Sequence, residues 1–295
     1  MSEKRKYEGS GVAMVTPFGN DGAIDFAVLE RHTDELIKHG IDYLVVLGTT
    51  AETPTLSKEE KIEIIDVVKK SAGGRVPIVI GAGGNSTSDV IDWIREIGSN
   101  GIDAYLSVAP YYSKPSQTGM IQHFSAIASS SDLPLILYNV PGRTSSNLEA
   151  ATVLQLAHEL GNKVAAVKEA SGNMQQIMEI QKDKPEDFLV ISGDDAIALP
   201  MISLGCSGVI SVIGNALPEL LSQMINDALA GNYEDAREKH YNMLPMISAI
   251  FKEGNPTGVK ALMEIRGFGK NNLRLPLITA TSALYDKIRY LNSLL

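Results

Sequence analysis

A lysine ends one of the apolar segments of the sequence, in the stretch AAVKEAS at residues 165–171. An ammonium group is rarely buried without a partner, so Lys168 is either compensated or used in chemistry. Strand alternation puts Val164, Ala166 and Lys168 on one face, and the small residues leave room for the lysine stem. A desolvated lysine favours its neutral amine, which can form a Schiff base with a carbonyl substrate. The structural alternative is an ion pair with Glu169 or with an aspartate of the next strand.

Two further sets of side chains fit this chemistry. Tyr138 ends the apolar segment that precedes the segment of Lys168, so we expect the two residues to be neighbours, and a phenol there can transfer protons during imine formation. Thr49 and Thr50 follow Gly48, which permits a tight turn, and their hydroxyl and backbone N–H groups suit a small carboxylate. The structural alternative for Tyr138 is that it is simply an aromatic residue at the rim of a barrel. The alternative for Thr49 and Thr50 is a turn in which both hydroxyls hydrogen-bond only to their own backbone.

The elements that must position these residues repeat along the chain. Eight short apolar segments alternate with helical patterns, and they lie at residues 11–18, 43–50, 76–83, 104–110, 133–141, 164–171, 188–195 and 208–215. Alternating strands and helices indicate right-handed βαβ units and a parallel sheet covered on both faces. The pattern predicts an α/β fold, the (β/α)8 TIM barrel. A doubly wound open sheet is the alternative, although it would not need eight near-even repeats.

The remaining sequence is helical in pattern. Ser57 and Glu60 form a capping-box signature before an apolar run, and glycines at positions 40, 73, 98 and 161 are placed to end helices. No convincing strand follows Asn215. We therefore predict a barrel domain over residues 1–231 and a C-terminal helical appendage over residues 232–295.

In such barrels the active site gathers at the C-terminal ends of the strands. The side chains that the segments deliver there belong to Thr16, Thr49, Thr50, Asn85, Tyr111, Tyr112, Tyr138, Arg143, Lys168, Glu169, Asp194, Asp195, Ile210 and Ser211. The five histidines all fall in helical stretches instead, where surface or packing roles are expected. We therefore expect no metal site and no zinc-dependent aldolase. Asp194 and Asp195 are interpreted as helix N-caps, and GAGGN at 81–85 as a loop.

Composition limits the partners. The formal net charge is −9, from 26 Lys and Arg against 35 Asp and Glu, which argues against nucleic acid and against anionic membranes. No apolar run approaches the length of a membrane span. The single cysteine, Cys206, excludes a disulfide framework and fits a reducing cytoplasm. A small-molecule substrate and a cytoplasmic location are the resulting expectations.

Several motifs together carry a family resemblance. They are GTTAETPTLS (48–57), APYYSKPSQ (109–117), YNVPGRT (138–144), VKEASGN (167–173), SGDD (192–195) and GVISV (208–212). In this register the sequence resembles the dihydrodipicolinate synthase family over essentially the whole barrel. The resemblance implies condensation of pyruvate with aspartate semialdehyde in lysine and diaminopimelate biosynthesis, without a cofactor. Sister enzymes with the same lysine chemistry are N-acetylneuraminate lyase and the keto-deoxy sugar acid aldolases.

The resemblance also implies residue roles. Lys168 would form the Schiff base, Tyr138 would transfer protons, and Thr49 would link Tyr138 to Tyr112 of a neighbouring subunit in a relay. Thr50 would bind the pyruvate carboxylate, Arg143 would bind the carboxylate of the second substrate, and Gly193 and Ile210 would line the pocket. A homotetramer built as a dimer of dimers is expected.

The sequence departs from the family pattern at two positions. Ala51 and Ser145 both stand where glycine is more usual in the family. Because both residues are small, we expect each to change the local turn conformation without abolishing the active site. Two rivals stay open. One is a sister aldolase, which Arg143 disfavours, and the other is a non-catalytic keto-acid-binding barrel, which would need no proton relay.

Overall fold

A computed structural model describes residues 5–295. Within that range, eight parallel strands follow one another in chain order around a closed barrel, as the sequence pattern predicts. The strands are β1 (Gly9–Ala13), β2 (Tyr43–Val46), β3 (Ile78–Gly81), β4 (Ala104–Val108), β5 (Leu135–Asn139), β6 (Val164–Glu169), β7 (Leu189–Ser192) and β8 (Gly208–Ser211). All eight strands end before their apolar segments do. Met14 and Val15, for example, remain buried beyond the end of β1.

Helices fill the connections between strands and the C-terminal part of the chain. They are α1 (Phe26–Lys38), α2 (Lys58–Ala72), α3 (Thr87–Ile97), α4 (Gln117–Ser129), α5 (Pro141–Thr144), α6 (Ala150–Leu160), α7 (Met174–Asp183), α8 (Ala198–Ser203), α9 (Pro218–Leu229), α10 (Tyr233–Phe251), α11 (Thr257–Ile265) and α12 (Ser282–Asn292). The predicted capping box is present at the start of α2, where Ser57 and Glu60 exchange hydrogen bonds. Gly73 ends the same helix in the left-handed conformation, at φ 57°.

The chain divides into two compact units. The first unit contains residues 5–8 and 77–210 and holds β3 to β7 with their helices. Its central strands are almost wholly buried, as strands covered on both faces should be. The register of β5 and β6 pairs Tyr138 with Lys168 and Asn139 with Glu169. The ends of these two strands therefore stand side by side.

The second unit contains residues 9–76 and 211–295. Strands β1 and β2 pair there in parallel, and α10 packs against α9, α11 and α12. Helix α11 is the most deeply buried of these C-terminal helices, since all of Thr257–Met263 is buried. A Cβ added at Gly258 would lie 2.3 Å from the Ile250 carbonyl oxygen, so only glycine permits this close approach of α10 and α11. The domain division at residue 231 stays a prediction.

The helices also bear on membrane association. None of those within residues 5–295 combines the length and the apolar character needed to cross a bilayer.

Candidate active site

Lys168 and Tyr138 are neighbours at the ends of β6 and β5 in the first unit. The Lys168 Nζ atom lies 4.2 Å from the centroid of the Tyr138 ring. Their side chains are nearly buried, at 5% and 6% exposure. Among the described residues Lys168 forms no ion pair, so the structural alternative of a paired lysine is not what the chain adopts. The arrangement places a largely desolvated lysine beside a phenol, two groups that imine chemistry can use.

The carboxylate next in sequence to the lysine faces the other side of the strand. Glu169 is fully buried, and it accepts hydrogen bonds from Asn139 Nδ2 at 3.0 Å, Gln176 Nε2 at 3.1 Å and the Ser171 N–H at 2.7 Å. The Asn139 side-chain oxygen in turn accepts from the Leu148 N–H at 2.9 Å. Because every donor is neutral, Glu169 needs no lysine partner. This network fixes the ends of β5 and β6, and with them Tyr138 and Lys168.

Gly193 leaves the space that the lysine stem occupies. A Cβ at this position would lie 2.7 Å from Ala170 Cβ and 3.1 Å from both Cγ and Cε of Lys168. The Gly193 N–H donates to the Glu169 carbonyl oxygen at 2.8 Å and so continues the pairing between β6 and β7. Ile210 is buried near the end of β8, at 1% exposure.

Two predicted site residues lie in the loops after β4 and β5. Arg143 is exposed on the single-turn helix α5 and forms no ion pair within residues 5–295. Ser145 caps that helix at φ 55°, a left-handed conformation that explains why glycine suits this position. Tyr112 is 89% exposed and also has a positive φ, 70°. A strained, exposed tyrosine is unusual for a residue with only a structural role.

The predicted turn after β2 is present in the second unit. Thr49–Ala51 forms one turn of 3₁₀-helix, in which Thr49 is exposed and Thr50 buried. The Thr50 Oγ1 atom accepts a hydrogen bond from Asn255 Nδ2 at 2.9 Å. Its own hydroxyl hydrogen therefore remains available to a carboxylate. Ala51 fits this turn with an ordinary negative φ, and its carbonyl oxygen accepts from Thr16 Oγ1 at 2.7 Å.

Other residues at the strand ends have structural roles. Asp194 caps the following turn through the Ala196 N–H at 2.8 Å, as predicted. Residues 82–85 form a loop. Across residues 5–295 no group of His, Cys, Asp or Glu side chains could hold a metal ion. Burial raises the pKa of Cys206 to about 12, which keeps this thiol unreactive.

Sequence reasoning missed the residues that support the site. The sequence patterns singled out none of the four residues Asn139, Asn255, Glu52 and Lys260. The one available signal is that Lys260 lies within the apolar helical stretch TGVKALMEI at 257–265, where a lysine has little access to water. Nothing in the sequence indicates the partners of Asn255 and Lys260, which are some 200 positions away.

Comparisons with known proteins agree with this geometry. The family model described as "Dihydrodipicolinate synthetase family" matches residues 6–293. The 4-hydroxy-tetrahydrodipicolinate synthase of Parabacteroides distasonis is 51% identical over 282 residues, which is 96% of this chain and 95% of that protein. A crystal structure of dihydrodipicolinate synthase from Thermotoga maritima superposes with a TM-score of 0.95 at 35% identity, over 99% of this chain and 100% of the other.

A further solved structure bears on the ligand. The chloride-inhibited dihydrodipicolinate synthase from Acinetobacter baumannii, complexed with pyruvate, superposes with a TM-score of 0.93 at 37% identity. The similarity covers 97% of this chain and 98% of that one. The family model matches nearly the whole chain, and a relative that carries the family's activity in its name is 51% identical. The chain therefore belongs to the dihydrodipicolinate synthetase family.

Proposed function

We propose that this chain is a 4-hydroxy-tetrahydrodipicolinate synthase of lysine biosynthesis that works through a Schiff base on Lys168. The activity follows from family membership and from the names of its relatives. The observation that carries the mechanism is the nearly buried Lys168 side chain, which forms no ion pair within residues 5–295 and whose Nζ lies 4.2 Å from the centroid of the Tyr138 ring. Pyruvate and aspartate semialdehyde are the proposed substrates.

The chemistry divides into balanced steps. The Lys168 amine adds to the ketone of pyruvate, and the carbinolamine loses one water to give an imine. Loss of a methyl proton gives an enamine, whose carbon attacks the aldehyde of the second substrate. The amino group of that substrate then attacks the imine carbon, closes the ring and releases Lys168. Tyr138 is the proposed proton carrier in the addition and the loss of water.

The remaining roles rest on the resemblance and on the surroundings of each residue. Thr50 is proposed to bind the pyruvate carboxylate, because its hydroxyl oxygen accepts from Asn255 and its hydroxyl hydrogen has no acceptor within residues 5–295. Arg143 is proposed to bind the carboxylate of aspartate semialdehyde, because its guanidinium is exposed and unpaired within the described chain. Gly193 and Ile210 are proposed to line the same pocket.

Thr49 and Tyr112 complete the proposal as a proton relay with Tyr138. The exposure and positive φ of Tyr112 fit a residue that enters the site of a neighbouring subunit. We accordingly propose a homotetramer formed as a dimer of dimers. Sedimentation equilibrium measures this assembly directly, and a stable, fully active monomer would contradict it. The cytoplasm is the proposed location, since the buried thiol of Cys206 is free.

The test combines trapping with a choice of second substrate. Borohydride added with pyruvate should reduce the imine and increase the mass of the peptide that contains Lys168. Labelling at another lysine, or none, contradicts the mechanism. The purified protein is then assayed with pyruvate and either aspartate semialdehyde or N-acetylmannosamine. Turnover with the sugar alone would favour a sister lyase, whereas trapping without any turnover would favour a keto-acid-binding barrel.

A further inference from the structure

A buried ion pair lies immediately after the turn that carries Thr49 and Thr50. The Glu52 Oε1 atom accepts a hydrogen bond from Lys260 Nζ at 2.5 Å, and the two side chains are 0% and 2% exposed. Glu52 follows the turn after β2, whereas Lys260 lies in the middle of α11. The pair therefore joins the turn to the C-terminal helices of the same unit. Charges at this depth persist only when they are paired and fully hydrogen-bonded.

Both members of the pair meet that condition. The second carboxylate oxygen of Glu52 accepts from the Arg274 backbone N–H at 3.0 Å. Lys260 Nζ also donates to the Asn272 carbonyl oxygen at 2.8 Å and lies 4.2 Å from the centroid of the Phe18 ring. Burial lowers the pKa of Lys260 to about 8, although the Glu52 charge opposes that shift. The contacts hold the Glu52 side chain in one place.

The turn needs such an anchor because its backbone is strained at both ends. Leu47, just before the turn, has φ 57°, and Glu52, just after it, has φ 55°. Residues with side chains disfavour this left-handed region, and they keep it only where their surroundings enforce it. The backbone of Glu52 is thus strained, and its side chain is the one that Lys260 holds in place. Without its partner, the turn can relax to an ordinary backbone conformation.

A second contact joins the turn to the same helix. Asn255, just before α11, donates to the buried Thr50 hydroxyl oxygen at 2.9 Å. Asn255 and Lys260 are five positions apart in sequence, so the start of α11 holds the turn at Thr50 and at Glu52. Together the two contacts fix where the Thr50 hydroxyl lies and which way it can donate.

We propose that Lys260 is a positioning residue for pyruvate capture: through Glu52 it holds the Thr49–Ala51 turn in the shape that binds the substrate carboxylate. Lys260 itself touches no substrate and transfers no proton. The inference rests on the proposed function, because it takes Thr50 as the carboxylate ligand. It assigns the C-terminal helices a role in substrate affinity.

The test compares Lys260→Met with the double variant Glu52→Gln/Lys260→Met. Methionine keeps the length and the apolar stem of lysine but leaves the Glu52 charge buried without its cation, so the single variant should lose thermal stability. Loss of a charge-assisted anchor should also raise the KM for pyruvate about tenfold or more. The kcat at saturating pyruvate and the KM for aspartate semialdehyde should change much less.

The double variant separates positioning from stability. It removes the unpaired charge, so the melting temperature should return toward that of the unmodified enzyme. The anchor is still missing, so the KM for pyruvate should stay raised. A KM that recovers together with stability would overturn the proposal, because the pair would then serve folding alone. The double variant also decides the matter if the single variant does not fold.

Two controls complete the experiment. Lys239→Met removes another ion pair of the same unit, 2.8 Å from Asp227, and should leave the KM for pyruvate unchanged. Borohydride trapping at saturating pyruvate should label Lys168 fully in every folded variant. An unmodified enzyme that neither traps pyruvate nor turns it over refutes the proposed function. If the unmodified enzyme shows normal kinetics and the KM for pyruvate is unchanged in both the single and the double Lys260 variant, only the proposed role of Lys260 is refuted.

Discussion

Tyr138 and Lys168 are register partners on β5 and β6, and the lysine ammonium lies 4.2 Å from the tyrosine ring centroid. Parallel pairing makes this contact a property of the strands rather than of flexible loops. The next pair in the same register, Asn139 and Glu169, faces the opposite side and is tied into a buried amide network. The strand ends that carry Tyr138 and Lys168 are therefore held by hydrogen bonds from neutral donors, and Glu169 forms no ion pair with Lys168.

Gly193→Ala should impair imine formation and also lower the melting temperature, because the new Cβ would lie 2.7 Å from Ala170 Cβ. The new Cβ would lie 3.1 Å from Cγ and Cε of Lys168, so the stem must move away from the position in which it attacks pyruvate. A misplacement of about 1 Å can cost about 100-fold in rate, so for this smaller displacement we expect a loss of about tenfold. Single-turnover borohydride trapping measures the effect. Gly142→Ala, whose Cβ meets open space, is the control. A trapping rate equal to that of the control would show that Lys168 tolerates the methyl group.

Arg143→Ala should act mainly through the second substrate. Loss of a charge-assisted hydrogen bond costs roughly 1.5–3 kcal/mol, so the KM for aspartate semialdehyde should rise about 10- to 100-fold. Arg143→Lys should restore only part of the affinity, since an ammonium cannot form the bidentate contact. Exposed Arg95 on α3 provides the control substitution. If pyruvate trapping by Arg143→Ala fails as badly as condensation, this arginine supports the site itself.

Tyr112→Phe should reduce turnover while leaving the final extent of imine formation intact, because a relay speeds proton transfer without setting the equilibrium. Within the described chain the Tyr112 hydroxyl has no hydrogen-bond partner. Mixing Tyr112→Phe subunits with Lys168→Ala subunits should regenerate some sites that have both residues. Hybrids verified by mass spectrometry but lacking activity would place Tyr112 in the site of its own subunit.

His32 should make the protein less stable in mild acid. Burial lowers its pKa from 6.5 to about 4, and its Nε2–H donates to Asn215 Oδ1 at 3.2 Å. The unfolded chain therefore takes up a proton first as the pH falls from about 6.5 to 4, and the free energy of unfolding should drop by up to about 3 kcal/mol. Urea unfolding across this range measures the slope.

The matching variant is His32→Gln, which keeps an amide donor toward Asn215 but cannot be protonated. It should flatten the acid-side loss of stability, whereas His158→Gln, at an exposed histidine, should leave the slope unchanged. Equal slopes in the unmodified protein and in His32→Gln would assign the acid sensitivity to other groups.

Periodic and local features of this chain were determined by the sequence itself. Eight apolar segments predicted the eight strands, and the Ser57 and Glu60 signature predicted the capped start of α2. Even the contact of Tyr138 with Lys168 was predictable, because consecutive strands in a parallel barrel are neighbours. These features depend on side-chain periodicity and on residues close in the chain, both of which can be read without coordinates.

Only the tertiary structure decided the contacts between distant segments. Lys260 meets Glu52 across 208 positions, and nothing in the sequence identifies either residue as the partner of the other. The need for glycine at 193 arises from the path of the Lys168 stem, and the left-handed Tyr112 has no local signature. The physical reason is that long-range pairing depends on where complete elements pack. Hydrophobic patterns specify which faces are buried, but not which polar groups meet inside.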